Sequence, residues 1–282
     1  MKTSMQLKAK ARNLSAQSGI QPHIIQRNYF LERFLERLSL SRYKNNIVLK
    51  GGVLITSMLG IEARSTMDLD TTVRAWTLST DDISEDVLAI VNEILQIPID
   101  DGVTFTVVGI EETRVEAVYP GCRVTLGVEL DKLNDTVKID FTAGDVITPK
   151  PVEYGYQLMF EDREINVLAY NLETVLAEKF IAVLSLDVVN SRMKDFYDIY
   201  MLITGRGGFV IPDVFKEAVK NTASQRQMLR LITQAGEIVD TIAKTPTMAD
   251  LWKRYRSTYK YAADIEFSDV ITALHGLTEW ID

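Results

Sequence analysis

The segment 47–73 constrains this chain more than any other. Ile47-Val48-Leu49 is a short apolar run of the kind that forms a buried strand, and Gly51-Gly52 breaks it. Residues 53–60 are mostly apolar and long enough for about two helical turns, so the pattern is strand, glycine turn, helix. Glycines at such a turn let a ligand approach the backbone closely, and a helix start offers free N–H groups to an anion. Lys50 adds a positive charge beside them. In Met67-Asp68-Leu69-Asp70-Thr71-Thr72-Val73, apolar and polar residues then alternate as in a half-buried strand. Asp68 and Asp70 are two apart, so both side chains point to one face. Asp is a poor strand former, and two like charges on one face repel unless a cation lies between them. Mg²⁺ takes one or two carboxylates plus substrate phosphate oxygens. The segment therefore reads as a metal–nucleotide site. The plainer alternative is a solvated strand edge preceded by a glycine turn.

The rest of the chain supplies a third carboxylate. Asp140, in Val137-Lys138-Ile139-Asp140-Phe141, lies on the strand face opposite Ile139 and Phe141. If its strand neighbours Asp68 and Asp70, the three carboxylates are the parts of a two-metal site for in-line nucleotidyl transfer. Asp145, in a Gly-Asp turn, reads as a turn residue. Alternating, β-branched runs at 104–110, 114–118, 123–130 and 136–141 predict strands, joined by turns at 119–121 and 133–135. With the first two strands they form a mixed sheet of five or six. A helix over 81–96 is capped by Thr80 or Asp81. Upstream, 1–18 is weakly helical. From Pro22 to Leu40 an amphipathic helix sets Ile24, Ile25, Tyr29, Phe30, Phe34, Leu35 and Leu38 against Arg27, Glu32, Arg33, Glu36 and Arg37 on the other face.

Pro149-Lys150-Pro151 marks a boundary or linker. After a short strand at 165–168 the period becomes helical. Asn171 caps a helix that carries Glu178 and Lys179, either a solvated pair or a lysine that reaches a phosphate as a point charge. The next helix carries Lys194, Asp195 and Asp198, a charge density that reads either as an internal salt bridge or as a nucleotide-pocket wall. Helices continue to the end. Trp252-Lys253-Arg254-Tyr255-Arg256-Ser257-Thr258-Tyr259-Lys260-Tyr261 interleaves basic and aromatic residues. This suits RNA backbone and bases, or equally aromatics packed inward with bases outward. The expected fold is α+β, with an N-terminal mixed-sheet domain over 1–165 and a C-terminal helical domain over 166–282.

Composition bounds the partners. The net charge of −8 over 282 residues argues against a general nucleic-acid binder, although Lys and Arg gather at 2–12, 192–206 and 253–260. One cysteine, Cys122, allows no intrachain disulfide. The first 17 residues lack the apolar core of a signal peptide, and no apolar run reaches the ~20 residues of a membrane span. The expected location is cytoplasmic, with no membrane partner.

These motifs resemble the AbiEii toxin family within the DNA polymerase β-like nucleotidyltransferases. The matches are Leu38 to Lys44, Leu49-Lys50-Gly51-Gly52, Arg64-Ser65-Thr66-x-Asp68-x-Asp70, Asp140, and the helix pair with Glu173-x-x-x-Ala177-Glu178-Lys179 and Arg192-x-Lys194-Asp195-x-Tyr197-Asp198. The resemblance implies a type IV toxin–antitoxin or abortive-infection toxin active in phage defence. Similar MenT toxins transfer nucleotides from an NTP to the tRNA 3′ end. It implies Mg²⁺, with Mn²⁺ as an alternative, and an NTP as substrate. Asp68, Asp70 and Asp140 would be metal ligands, with Asp140 helping or acting as base. Lys50, Gly51, Gly52, Arg64, Ser65, Lys179, Arg192, Lys194 and Asp195 would bind nucleotide. Asp68, Asp70, Asp140, Lys179 and Asp198 would carry the chemistry. A cognate, AbiEi-like antitoxin and tRNA or another RNA acceptor are the implied partners. One departure is Val53, where the superfamily often has Ser or Thr; Thr56, Ser57 or the backbone alone takes that role here. The rival readings are transfer to a protein or small-molecule hydroxyl, and a non-catalytic nucleotide-binding interaction module.

Overall fold

The structure is a computed structural model that describes residues 1–60, 66–74, 83–113 and 121–281. Arg64, Ser65, the caps Thr80 and Asp81, the strand expected at 114–118 and turn residues 119–120 lie outside the described residues. The chain divides into two units. The first comprises Met1–Asp145 with Val152–Ala169, and the second Val146–Pro151 with Tyr170–Asp282.

The first unit begins with α1 (Ser4–Ser18), capped by the Thr3 side chain, and α2 (Pro22–Leu40), which opens on proline. Then come β1 (Ile47–Lys50), α3 (Gly51–Leu59), β2 (Asp68–Val73), α4 (Ile83–Leu95), β3 (Val103–Thr113), β4 (Gly121–Leu130), β5 (Leu133–Ala143), β6 (Val152–Gln157) and β7 (Glu164–Ala169). Among the described residues the strands form one seven-stranded sheet in the order β3-β4-β5-β2-β1-β7-β6. β2 runs parallel to β5 and β1 parallel to β7, while the remaining neighbours are antiparallel, so the sheet is mixed. The period-2 pattern of β2, β4 and β5 turns Leu69, Val124, Leu126, Ile139 and Phe141 into the core, each essentially inaccessible. α2 and α4 pack against this part of the molecule. β6 adds a strand beyond the expected five or six. Its residues are mostly exposed and include Gly155, so no apolar alternation announces it.

α2 departs from its amphipathic reading. Glu32, Arg33, Glu36 and Arg37, expected on an outer face, are buried together with the apolar stripe. The helix is enclosed by α1, α4, β5 and β7, and its ionisable side chains are ion-paired or hydrogen-bonded, as burial requires. Arg37 forms a fork onto Asp101 at 2.8 and 3.1 Å. Arg33 contacts Glu36 at 2.8 Å and Glu161 at 2.9 Å. Glu32 accepts from the Met159 amide at 3.1 Å and from the Tyr156 hydroxyl at 3.5 Å.

The second unit is helical: α5 (Leu172–Leu186), α6 (Met193–Arg206), α7 (Pro212–Gln225), α8 (Arg230–Thr233), α9 (Ala235–Lys244), α10 (Pro246–Thr258) and α11 (Phe267–Ile281). Asn171 caps α5 by accepting from the Thr174 amide at 2.8 Å. α7 packs on both α5 and α11, with the Phe180 and Phe215 rings 6.1 Å apart and Trp280 of α11 edge-on to Phe215 at 5.8 Å. Among the described residues no helix is long and apolar enough to cross a membrane.

Candidate active site

The glycine turn is built as its sequence implies. β1 ends at Lys50 and α3 starts at Gly51, whose φ of +62° lies in the left-handed region that glycine tolerates best. A Cβ at this position would overlap the Asp70 carboxylate. The Gly52 amide donates to Asp70 Oδ2 at 3.2 Å. The turn therefore both leaves room for Asp70 and holds it.

Strand register extends this contact into a row. Lys50 of β1 pairs with Asp70 of β2, Asp70 with Asp140 of β5, and Asp140 with Arg123 of β4. Paired residues project to the same face, so four adjacent strands present the charges +, −, −, + in line. Asp68 lies two residues before Asp70 and faces the same way. Asp68, Asp70 and Asp140 are all half-buried. Burial, first of all, pushes the Asp68 carboxyl above its usual pKa. Arg123 opposes the shift, while Asp140 and Asp70 reinforce it.

Each end of the row is closed by an ion pair. Arg123 grips Asp140 with two bonds, Nε to Oδ1 at 2.6 Å and Nη2 to Oδ2 at 2.7 Å. This hydrogen bonding raises the guanidinium pKa further. At the other end, Lys50 points inward to Asp145 Oδ2 and to Thr142 Oγ1, the latter at 2.8 Å. Burial alone would push Asp145 up, but the ammonium of Lys50 and hydrogen bonds from Lys50, Thr142 and Thr72 hold it below its ordinary value. Asp145 is thus a buried ion-pair partner rather than a plain turn residue. Neither it nor Arg123 stood out in the sequence. Arg123 sits in an alternating strand whose register with β5 no local pattern specifies, and Asp145 sits where Gly-Asp turn chemistry is a sufficient local explanation.

The all-oxygen donors Asp68 and Asp70 fit a hard divalent cation. Asp140 has the same chemistry, but both of its oxygens face Arg123. Among the described residues no three acidic, His or Cys side chains are drawn together as a metal cage.

The second unit carries its own charge cluster. Lys179 of α5 lies between Asp195 and Asp198 of α6, its Nζ 2.7 Å from each. Arg192 Nε is 3.0 Å from Asp195 Oδ2. The Lys179, Asp195 and Asp198 side chains are 14%, 6% and 0% exposed. Asp198 thus pairs between helices with Lys179. Lys194 is half-buried on the same helix. Glu178 faces away, toward Arg226 at 3.5 Å, as the ~100° step between adjacent helical residues requires.

The aromatic and basic run at 252–261 turns its first ring inward and most of its basic residues outward. Trp252 is buried and donates Nε1–H to the Ile265 carbonyl at 3.0 Å. From it a chain of rings leads outward, Trp252 to Tyr255 at 5.4 Å and Tyr255 to Tyr259 at 4.8 Å between centroids. Tyr259 is 39% exposed. Lys253, Arg254 and Lys260 are exposed as well.

A family model described as nucleotidyl transferase AbiEii toxin, type IV TA system, matches residues 33–273. The chain is also similar to a crystal structure of a putative nucleotidyltransferase from H. pylori. The TM-score is 0.51 at 12% identity, over 93% of this chain and 97% of that one. A second similar structure is JHP933 from Helicobacter pylori, with a TM-score of 0.46 at 13% identity over 89% and 90% of the two chains. No curated protein matches the chain.

Proposed function

Because this chain belongs to the AbiEii family of nucleotidyltransferase toxins from type IV toxin–antitoxin systems, we propose that it transfers a nucleoside monophosphate from an NTP to an RNA 3′ hydroxyl, with the tRNA 3′ end as the preferred acceptor. The observation that carries this reading is the joining of Asp70 to the Gly51-Gly52 turn, with Asp68 beside it and Asp140 on the next strand.

In this reading the first-turn amides of α3 receive triphosphate oxygens, and Asp68 and Asp70 would hold a divalent ion, Mg²⁺ by preference, which would supply charge neutralisation at the phosphates. The acceptor oxygen attacks the α-phosphorus and forms the new P–O bond. The bond from that phosphorus to the bridging oxygen breaks, and pyrophosphate leaves. Asp140 takes the acceptor proton; where it instead completes the carboxylate set, the proton passes to solvent water. Lys50, turned toward Asp145, acts by fixing the start of the turn. Lys179, with Arg192, Lys194, Asp195 and Asp198, is the second unit's candidate for nucleotide phosphate. Tyr259 with Lys253, Arg254 and Lys260 suits the acceptor, a ring for a base and cations for its phosphates.

The family implies an antitoxin partner and an NTP substrate. Incubation with each α-labelled NTP, Mg²⁺ and total tRNA tests the rest. Label in tRNA that is lost in Asp68→Asn/Asp70→Asn supports the reading. Absence of label from RNA with every NTP would sink it. Transfer to a protein or small-molecule hydroxyl is the second reading, favoured by the net charge of −8. Steep loss of activity with rising salt separates an RNA acceptor from a small one.

A further inference from the structure

The two ion pairs that close the charge row differ in permanence. The side chains of Lys50 and Asp145 are 7% and 9% exposed. Opening that pair leaves charges stranded away from water, at several kcal/mol. Those of Arg123 and Asp140 are 29% and 23% exposed. Water and ions reach them, and a pair in such a setting is screened and worth little net free energy. The fork has good geometry but sits where it can open. It also engages both oxygens of Asp140 that a cation would use, whereas Asp70 is bonded to the Gly52 amide.

We propose that Arg123 is a positioning residue that holds Asp140 in the nucleotide-free protein and competes with a divalent ion for it. The ion first meets Asp68 and Asp70. It gains Asp140 only as the guanidinium lets go, and phosphate oxygens of the triphosphate are the natural next partner for a planar fork. Arg123 thereby makes completion of the carboxylate set conditional on substrate. This inference rests on the reading of Asp68 and Asp70 as cation ligands.

Direct Mn²⁺ titration of the full chain, followed by the electron paramagnetic resonance of the free ion, reads the competition without turnover. Loss of Mn²⁺ binding in Asp68→Asn/Asp70→Asn establishes the underlying reading, and its persistence there refutes that reading alone. With it established, Arg123→Gln should bind Mn²⁺ on the order of tenfold more tightly than the parent. Arg123→Gln/Asp140→Asn should return to the affinity of Asp140→Asn. Lys138, the register partner of Asp68, serves as the charge control: Lys138→Gln removes a cation beside the carboxylates without releasing Asp140, and should tighten Mn²⁺ binding by clearly less than Arg123→Gln does. Arg123→Lys keeps the charge and loses the two-pronged geometry. It should bind a few-fold more tightly and serves as the readout if the glutamine variant does not fold. Equal or weaker Mn²⁺ binding in the Arg123 variants overturns the proposal. So does a Lys138→Gln shift as large as that of Arg123→Gln, or failure of the double variant to revert.

Discussion

Gly51 and Asp70 share one space: a side chain at the first would occupy the carboxylate of the second. The glycine turn and the Asp-x-Asp strand are thus parts of one object, joined by the Gly52 amide.

Gly51→Ala should therefore abolish nucleotidyl transfer and cost the fold more than the about 1–2 kcal/mol of a left-handed alanine, because Asp70 must also move aside. Transfer assays beside thermal melts check this. Retained activity would mean that Asp70 can do its work displaced from the turn.

Asp145→Ala leaves the Lys50 ammonium buried without its carboxylate and should destabilise the protein by about 3–5 kcal/mol in urea unfolding. Because the Asp145 pKa is lowered in the folded state, its contribution is present above the unfolded value and is lost as pH falls through the folded one. The parent should lose stability in acid below about pH 4, and Asp145→Asn should lose less over that range.

Glu32 has the opposite sign. Burial, opposed by the Met159 amide bonds, pushes its carboxyl up from 4.5 to about 8. The folded state favours the protonated form, so stability is greatest below the unfolded pKa and declines as pH rises between the two values. Glu32→Gln keeps an acceptor oxygen for the Met159 amide and carries no charge. Melting temperatures of the two proteins should therefore diverge between pH 5 and 8 by several degrees, with the variant the more stable at the alkaline end. Parallel curves would exclude Glu32 as the titrating group.

Lys179→Ala strands two buried carboxylates and should cost about 3–5 kcal/mol. The triple variant Lys179→Met/Asp195→Asn/Asp198→Asn should recover much of that loss. If Lys179 acts on the triphosphate, transfer will remain lost in the triple variant although folding is restored. Recovery of transfer together with stability would assign the cluster a purely structural part.

Several features of the fold were legible locally. The break at Gly51-Gly52, the common face of Asp68 and Asp70, the proline at the start of α2 and the Asn171 cap of α5 each depend on a handful of neighbouring residues. The paired charges were not legible in this way. Glu32, Arg33, Glu36 and Arg37 look like a solvent face by helical period, and become interior because α1, α4, β5 and β7 enclose the helix from other parts of the chain. Lys194 and Asp198 have ideal spacing for a helix-internal pair, yet Asp198 sits 2.7 Å from Lys179 of α5.

What the sequence determined by itself is what backbone geometry enforces within a few residues: strand, turn, helix, and the side to which each aspartate points. Which strands lie side by side, and in what register, was decided by the tertiary structure, because sheet pairing joins residues far apart in the chain. Asp70 meets Asp140 across 70 residues and Arg123 meets Asp140 across 17. A one-residue slip in either pairing would turn a partner to the opposite face. The row from Lys50 to Arg123 exists because the apolar residues alternating with it bury on the other side and so hold every strand in place.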